Sequence, residues 1–214
     1  MHSPKGLIFD MDGVLVDSEP LHKRAKELAF AEIGIVLPEA VYDSYKGRPD
    51  ATMLPEIMAA SGLSDKTYEL SRRKKQLYEE IEHELRAVEG AIEFVRWAAP
   101  RYKIALATSA TARNREATLR LLDLDHAFHA LVDASGHARP KPDPEVFLVA
   151  LEKLQLKPVD CWIIEDSVNG LRAAKAAGCF AAAITTTFDR NTLSAAGADL
   201  VVNSFAELKS VLES

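Results

Sequence analysis

Two acids, Asp10 and Asp12, stand directly after the apolar run Leu7-Ile8-Phe9 and directly before Gly13. A buried strand that ends this way aims both carboxylates into one crevice. Residues i and i+2 of a strand share a face, and the carboxyl ends of parallel strands are where open α/β sheets bind ligands. Gly13 lets the chain turn away sharply. Carboxylates held this close repel one another unless a cation or a proton stands between them. The pair therefore points to Mg²⁺ binding, to acid–base chemistry, or to both. A solvated turn is the alternative for the same residues, since Asp and Gly both favour turns.

Three further groups follow apolar runs. Thr108 and Ser109 end KIALATS, and their hydroxyls and neighbouring amides suit phosphoryl oxygens, although a hydroxyl after a strand is common. Lys141 lies between Pro140 and Pro142. Fixed φ angles on both sides stiffen that loop and would hold a point charge for an anion; the alternative is an exposed lysine in a Pro-rich turn. Glu165 and Asp166 end CWIIED. Adjacent acids at the end of a buried strand are costly without a cation, unless Asp166 or Ser167 merely caps the next helix.

The elements that must position these groups alternate. Strands are expected over 6–10, 103–109, 128–134, 161–166, 179–185 and 199–203, and helices over 113–122, 144–154, 168–177 and 204–213. Continuous apolar strands interleaved with helices predict an α/β fold, a parallel sheet covered on both faces. Asp143 is expected to cap the helix that Pro144 opens, and Gly178 to end another in a left-handed turn. Between the first two strands the chain is charged, with apolar residues at three- and four-residue spacing. Helices are expected there from Pro20 to Ile33, Pro49 to Ala60 and Asp65 to Leu85, punctuated by Gly34, Pro38, Gly47, Pro49 and Gly62. This predicts a small all-helical domain, residues 18–87, inserted after the first strand of a core made of residues 1–17 and 88–214. Hinges near 14–18 and 87–90 would let it close over the crevice and exclude water; helices that only cover the sheet are the alternative. The run Arg72-Arg73-Lys74-Lys75 reads as a solvated helix face, a substrate role for one of the four being the other reading.

Composition narrows the partners. A net charge of −6 disfavours a nucleic-acid or anionic-membrane partner. No apolar run approaches the ~20 residues of a membrane span, and the first residues lack a cationic stretch followed by an apolar signal core. Cys161 and Cys179 sit in apolar settings outside any metal-spaced cluster. Free thiols and a cytoplasmic location are expected, with a monomer as the default.

Taken together, FDMDGVLVDSEPLH, ALATSA, KPDPEVF and IIEDSVNGLRAAKAAG resemble, in order and spacing, the four motifs of the haloacid dehalogenase superfamily of phosphotransferases. The resemblance spans nearly the whole chain. It is strongest to the branch with a small helical cap, which includes β-phosphoglucomutases and sugar-phosphate phosphatases. It implies a Rossmann-like core and a Mg²⁺ cofactor. Asp10 would be the nucleophile that forms an aspartyl-phosphate and Asp12 the general acid and then base. Thr108, Ser109 and Lys141 would hold phosphoryl oxygens. Asp10, Asp166 and the Asp12 carbonyl would hold the metal, with Glu165 binding it directly or through water. His22 matches a cap-linker position that contacts the leaving group or Asp12; a surface histidine is the alternative.

The same resemblance bears on which reaction is run. True dehalogenases lack the second Asp and use no metal, and phosphonatases replace that Asp by a small residue, so Asp12 argues against both. β-Phosphoglucomutases carry an Arg shortly after a Lys-Gly pair; here Lys46-Gly47 is followed at that position by Asp50, with Arg48 nearby as a substitute. They also carry a Ser-Lys-Asn stretch where this chain reads Ala110-Thr111-Ala112. Lys74 matches a cationic cap position shared with phosphatases. The expectation is hydrolysis of small phosphomonoesters such as sugar phosphates. The alternatives are a phosphosugar mutase and, more remotely, a non-catalytic protein that binds a phosphorylated metabolite.

Overall fold

The computed structural model describes residues 3–45 and 50–214. The chain divides into two compact units, one comprising residues up to Asp17 together with Arg86–Ser214, the other Ser18–Leu85. The first is built on a six-stranded parallel sheet. Its strands are β1 (Gly6–Phe9), β4 (Lys103–Ala107), β5 (Ala130–Val132), β6 (Cys161–Glu165), β7 (Phe180–Ile184) and β8 (Leu200–Val202). Two short strands, β2 (Val16–Asp17) and β3 (Arg86–Ala87), pair antiparallel outside it.

Strand order is β5-β4-β1-β6-β7-β8. The chain builds outward from β1 on one side, then crosses to β6 and builds outward on the other. β1 is therefore the switch point, where open sheets of this kind leave a crevice at the carboxyl ends of the strands. All four β1 residues are buried, as a strand covered on both faces requires. Its alternate side chains serve two cores. Ile8 joins Ala105, Phe147, Ile163, Leu171 and Ala183, beneath α7 (Glu145–Leu154) and α8 (Val168–Ala176). Phe9 meets the ring edges of Phe94 and Phe128 at 6.0 Å each. Phe94, on α5 (Ala91–Ala98), in turn packs on Phe205 of α10 (Phe205–Glu213), with ring centroids 5.0 Å apart. The remaining helices of this unit are α6 (Ala112–Leu121) and α9 (Arg190–Ala195). Cys161 and Cys179 are buried free thiols, which burial pushes up to about 12.

The second unit contains α1 (Glu19–Glu32), α2 (Glu39–Ser44), α3 (Asp50–Ala60) and α4 (Thr67–Ile81). Its core joins Ala25, Ala29 and Phe30 of α1 to Met53, Leu54, Ile57 and Met58 of α3 and to Leu70, Leu77, Tyr78 and Ile81 of α4. Those α4 positions recur at three and four, the period of one helix face. No helix among the described residues is long and apolar enough to cross a membrane.

Several local expectations shift. The β2–β3 pair, with the Val88 amide donating to the Leu15 carbonyl at 3.0 Å, was not legible because two-residue strands carry no periodic signal. Pro144 is the residue before α7 rather than its first helical residue, and Asp143 Oδ1 accepts from the Glu145 amide at 3.0 Å, one position earlier than expected. Gly178 takes φ +79°, the left-handed conformation expected of it. The Arg72–Lys75 run is not uniformly solvated. Arg73 pairs with Glu32 and Glu80, whereas Lys74 is buried, because it falls in the apolar stripe of α4 between Leu70 and Leu77 and Tyr78.

Candidate active site

Register assembles the site. Phe9 pairs with Leu106 of β4 and Ile164 of β6, so Asp10 lies level with Ala107 and Glu165. Asp10 keeps the parity of Ile8, and Glu165 that of Ile163. Both carboxylates therefore continue the face covered by α7 and α8. Lys141 arrives on the loop before α7 and sets its Nζ 3.0 Å from Asp10 Oδ1 and 2.7 Å from Glu165 Oε1. The ammonium also lies 4.9 Å from the centre of the Phe147 ring.

Glu165 has no solvent exposure. Its second oxygen accepts from the Asp166 amide at 3.1 Å, the Ser167 amide at 3.2 Å and Ser167 Oγ at 2.9 Å. Ser167 in turn caps α8 by accepting from the Gly170 amide at 3.0 Å. A β-carbon on Gly170 would sit 1.8 Å from Glu165 Oε1. Glycine is thus what lets the carboxylate lie against the first turn of the helix.

Asp10, Glu165 and Asp166 each offer an oxygen within 4.8 Å of the others, forming a buried three-acid group. Burial raises Asp10 to about 7, with Lys141 opposing the rise and Glu165 and Asp12 adding to it. Burial, then the Glu165 and Asp10 charges, push Asp166 well above the usual carboxylate range. At Lys141 burial works against the charge, but Asp10 and Glu165 outweigh it and hold the ammonium above its ordinary value. Hard oxygen donors so crowded that their own charge is disfavoured fit a divalent cation such as Mg²⁺. Asp12 is half-buried on the turn that Gly13 opens at φ +73° and lies outside the three-acid group.

Thr108 is buried beyond β4. Its amide donates to the Val132 carbonyl, and its hydroxyl accepts from the Ala110 amide, each at 3.0 Å. Ser109 is exposed. Sequence reasoning missed the loop after β7. Thr186 Oγ1 donates to the Gly13 carbonyl at 2.5 Å, and Thr187 Oγ1 and Asp166 Oδ2 both border the space beside Gly13. Hydroxyls following the apolar run CFAAAIT are the same signal that singled out Thr108, and Gly170 inside an expected helix was a second available clue.

The cap candidates belong to the helical unit. Lys74 Nζ lies 2.5 Å from Asp50 Oδ2 and 3.2 Å from His22 Nδ1. His22 stacks on Tyr78 at 4.2 Å, so it is no free surface histidine. Lys26, also buried, is 3.7 Å from the other Asp50 oxygen. Lys74 and then Lys26 pull the Asp50 carboxyl below its usual value against the effect of burial. Arg48 lies outside the described residues.

The chain matches the family model of haloacid dehalogenase-like hydrolases over residues 4–178. It is 37% identical over 178 residues to a phosphorylated carbohydrates phosphatase of Thermotoga maritima, covering 81% of this chain and 82% of that protein. It is 31% identical over 211 residues to a β-phosphoglucomutase of Bacillus subtilis, covering 95% and 91%. The solved structure of a hydrolase from Pseudomonas syringae superposes with a TM-score of 0.83 over 98% of both chains at 26% identity.

Proposed function

We propose, for a chain that belongs to the haloacid dehalogenase-like hydrolases and is a phosphatase of that type, that it hydrolyses small phosphomonoesters, sugar phosphates foremost, in the cytoplasm through an aspartyl-phosphate. The observation that carries the reading is the buried contact of Asp10 with Lys141 within 4.8 Å reach of Asp166 and Glu165. A carboxylate needs no base to become a nucleophile, only relief from the charge of the phosphate it attacks. Asp10, Asp166 and the Asp12 carbonyl would hold Mg²⁺, which supplies that relief. Glu165, already accepting four hydrogen bonds, holds Lys141 in place.

In the first step the Asp10 carboxylate forms a bond to phosphorus as the bond to the leaving oxygen breaks, and Asp12 gives its proton to that oxygen. In the second, Asp12 takes a proton from water as the water oxygen attacks phosphorus, which releases inorganic phosphate and restores Asp10. Lys141 and Thr108, with Ser109, hold the remaining phosphoryl oxygens as their charge redistributes.

A mutase is the second reading, favoured by the likeness to the Bacillus enzyme. Against it, Asp50 stands where those mutases carry an Arg after the Lys-Gly pair, and it pairs with Lys74 within the helical unit. The test is phosphate release from an aryl phosphate and a panel of sugar phosphates with Mg²⁺. Wild type turns over and Asp10→Asn does not. Equal inertness of the two folded proteins refutes the enzyme, and efficient interconversion of β-glucose 1-phosphate and glucose 6-phosphate replaces phosphatase by mutase.

A further inference from the structure

Past their last residues, β4 and β5 go on pairing through their loops. The Thr108 amide donates to the Val132 carbonyl at 3.0 Å and the Ala134 amide to the Ala110 carbonyl at 2.9 Å. Asp133 is the residue between those two bonds, and because Ala107 pairs with Val132 it lies level with Thr108. Its carboxylate is buried. Oδ1 accepts from the Ser135 amide at 2.9 Å and from Ser135 Oγ at 2.6 Å. Oδ2 lies 3.1 Å from Nη1 of Arg115 on α6, and the two side chains are only 9% and 12% exposed. The other terminal nitrogen of Arg115 donates to the exposed Glu116 at 2.9 Å. The Asp133 carbonyl accepts from the Gly136 amide at 2.8 Å, closing the turn that starts the loop toward Lys141.

The segment from Thr108 to Thr111 is thus held from two sides. The ladder fixes its backbone against the loop after β5, and α6, which it enters through the Thr111 cap, is tied to that same loop by Arg115. With its oxygen accepting from the Ala110 amide, the Thr108 hydroxyl has its proton left to give. We propose that Arg115 and Asp133 are positioning residues for phosphoryl recognition: their ion pair locks the loop after β5 to α6 and so fixes where the Thr108 hydroxyl stands. This rests on the reading of Thr108 as a donor to a phosphoryl oxygen. Neither residue of the pair touches the substrate. A buried ion pair returns little net stability once its desolvation is counted, so orientation is what this one supplies.

The test is a double-mutant cycle between Arg115→Met and Thr108→Val, with Arg115→Lys as the conservative variant. Steady-state hydrolysis of an aryl phosphate with Mg²⁺ gives kcat and KM, inorganic phosphate added to it gives an inhibition constant, and thermal melts report folding. Arg115→Met should raise the phosphate inhibition constant and lower kcat/KM about tenfold, as a displacement of a fraction of an ångström would. Arg115→Lys should recover most of that loss. In the Thr108→Val background Arg115→Met should change the inhibition constant by less than about twofold, because the hydroxyl it positions is gone. If Arg115→Met does not fold, Arg115→Met with Asp133→Asn removes both charges together and enters the same cycle. A wild-type inhibition constant in the folded variant overturns the proposal. So does a full, independent loss in the Thr108→Val background, which marks a merely structural ion pair. An unchanged inhibition constant in Thr108→Val alone refutes the reading of Thr108 and the proposal with it, so the two failures are told apart.

Discussion

Replacing Gly170 by alanine sets two effects of opposite sign against each other. In an ordinary helix position the change stabilises by about 1 kcal/mol, because glycine loses more backbone freedom on folding. Here the added β-carbon would stand 1.8 to 2.1 Å from the atoms of the Glu165 carboxylate. The carboxylate is the free end of a side chain, but it is not free to move: it has no solvent exposure and is fixed by Lys141 at 2.7 Å, two amides and the Ser167 hydroxyl. Displacing it leaves a buried ammonium and a buried carboxylate without their partners, a loss of about 3–5 kcal/mol. The net expectation is a destabilisation of about 2–4 kcal/mol. At about 2–4 °C per kcal/mol for a chain of this size, the melting temperature falls by at least about 4 °C. Thermal melts measure this directly, and aryl phosphate hydrolysis should fall with it, since Lys141 loses the group that aims it. A Gly170→Ala protein that melts at or above wild type with full activity would show that Glu165 can relocate at no cost, and the account of Lys141 would be wrong.

The site's charge also predicts a pH dependence. Burial sets Asp10 near 7, against 3.8 in the unfolded chain, so the folded protein favours the protonated form. Metal-free stability should be highest near pH 4 for this contribution, fall as pH rises, and reach its full loss above 7. Asp10→Asn should escape that fall, and melts from pH 5 to 8 in chelator would detect it as a gap that widens with pH. In the helical unit, Asp50→Ala removes the acid that Lys74 and Lys26 share. With Asp50 about one-third exposed, the expected cost is about 1–2 kcal/mol; a melt indistinguishable from wild type would show that these lysines reach water instead.

What the sequence revealed and what it hid divide along physical lines. Asp10, Lys141 and Glu165 were legible because each ends or follows an apolar run, and parallel register then forces such ends into one row. The six strands were legible for the same reason. The β2–β3 ribbon and the helices α2 and α9, of six residues each, were not, since elements so short complete too few periods to stand out. Lys74 was misread because a run of four cations suggests a solvated face. The spacing Leu70, Lys74, Leu77, Tyr78, Ile81 places it instead on the buried stripe, where its charge needs Asp50. Thr187 shows the converse failure. A hydroxyl beside an apolar run has no distinguishing spacing, and only the closeness of two loops distant in sequence brings it beside Gly13 and Asp166.

The two units bury charge in opposite balance. In the core unit, three buried acids face one ammonium, so with all three ionised they would exceed the cation by the charge of one divalent ion. A fold selected only for stability would not keep that excess, because unpaired buried charge costs more than the packing around it returns. The glycines at 13 and 170 remove side chains where the acids need room, which makes the crowding a built property rather than an accident of rotamers. The helical unit holds the opposite arrangement: two buried lysines share one acid. Its surplus is a single positive charge, already drawn toward Asp50.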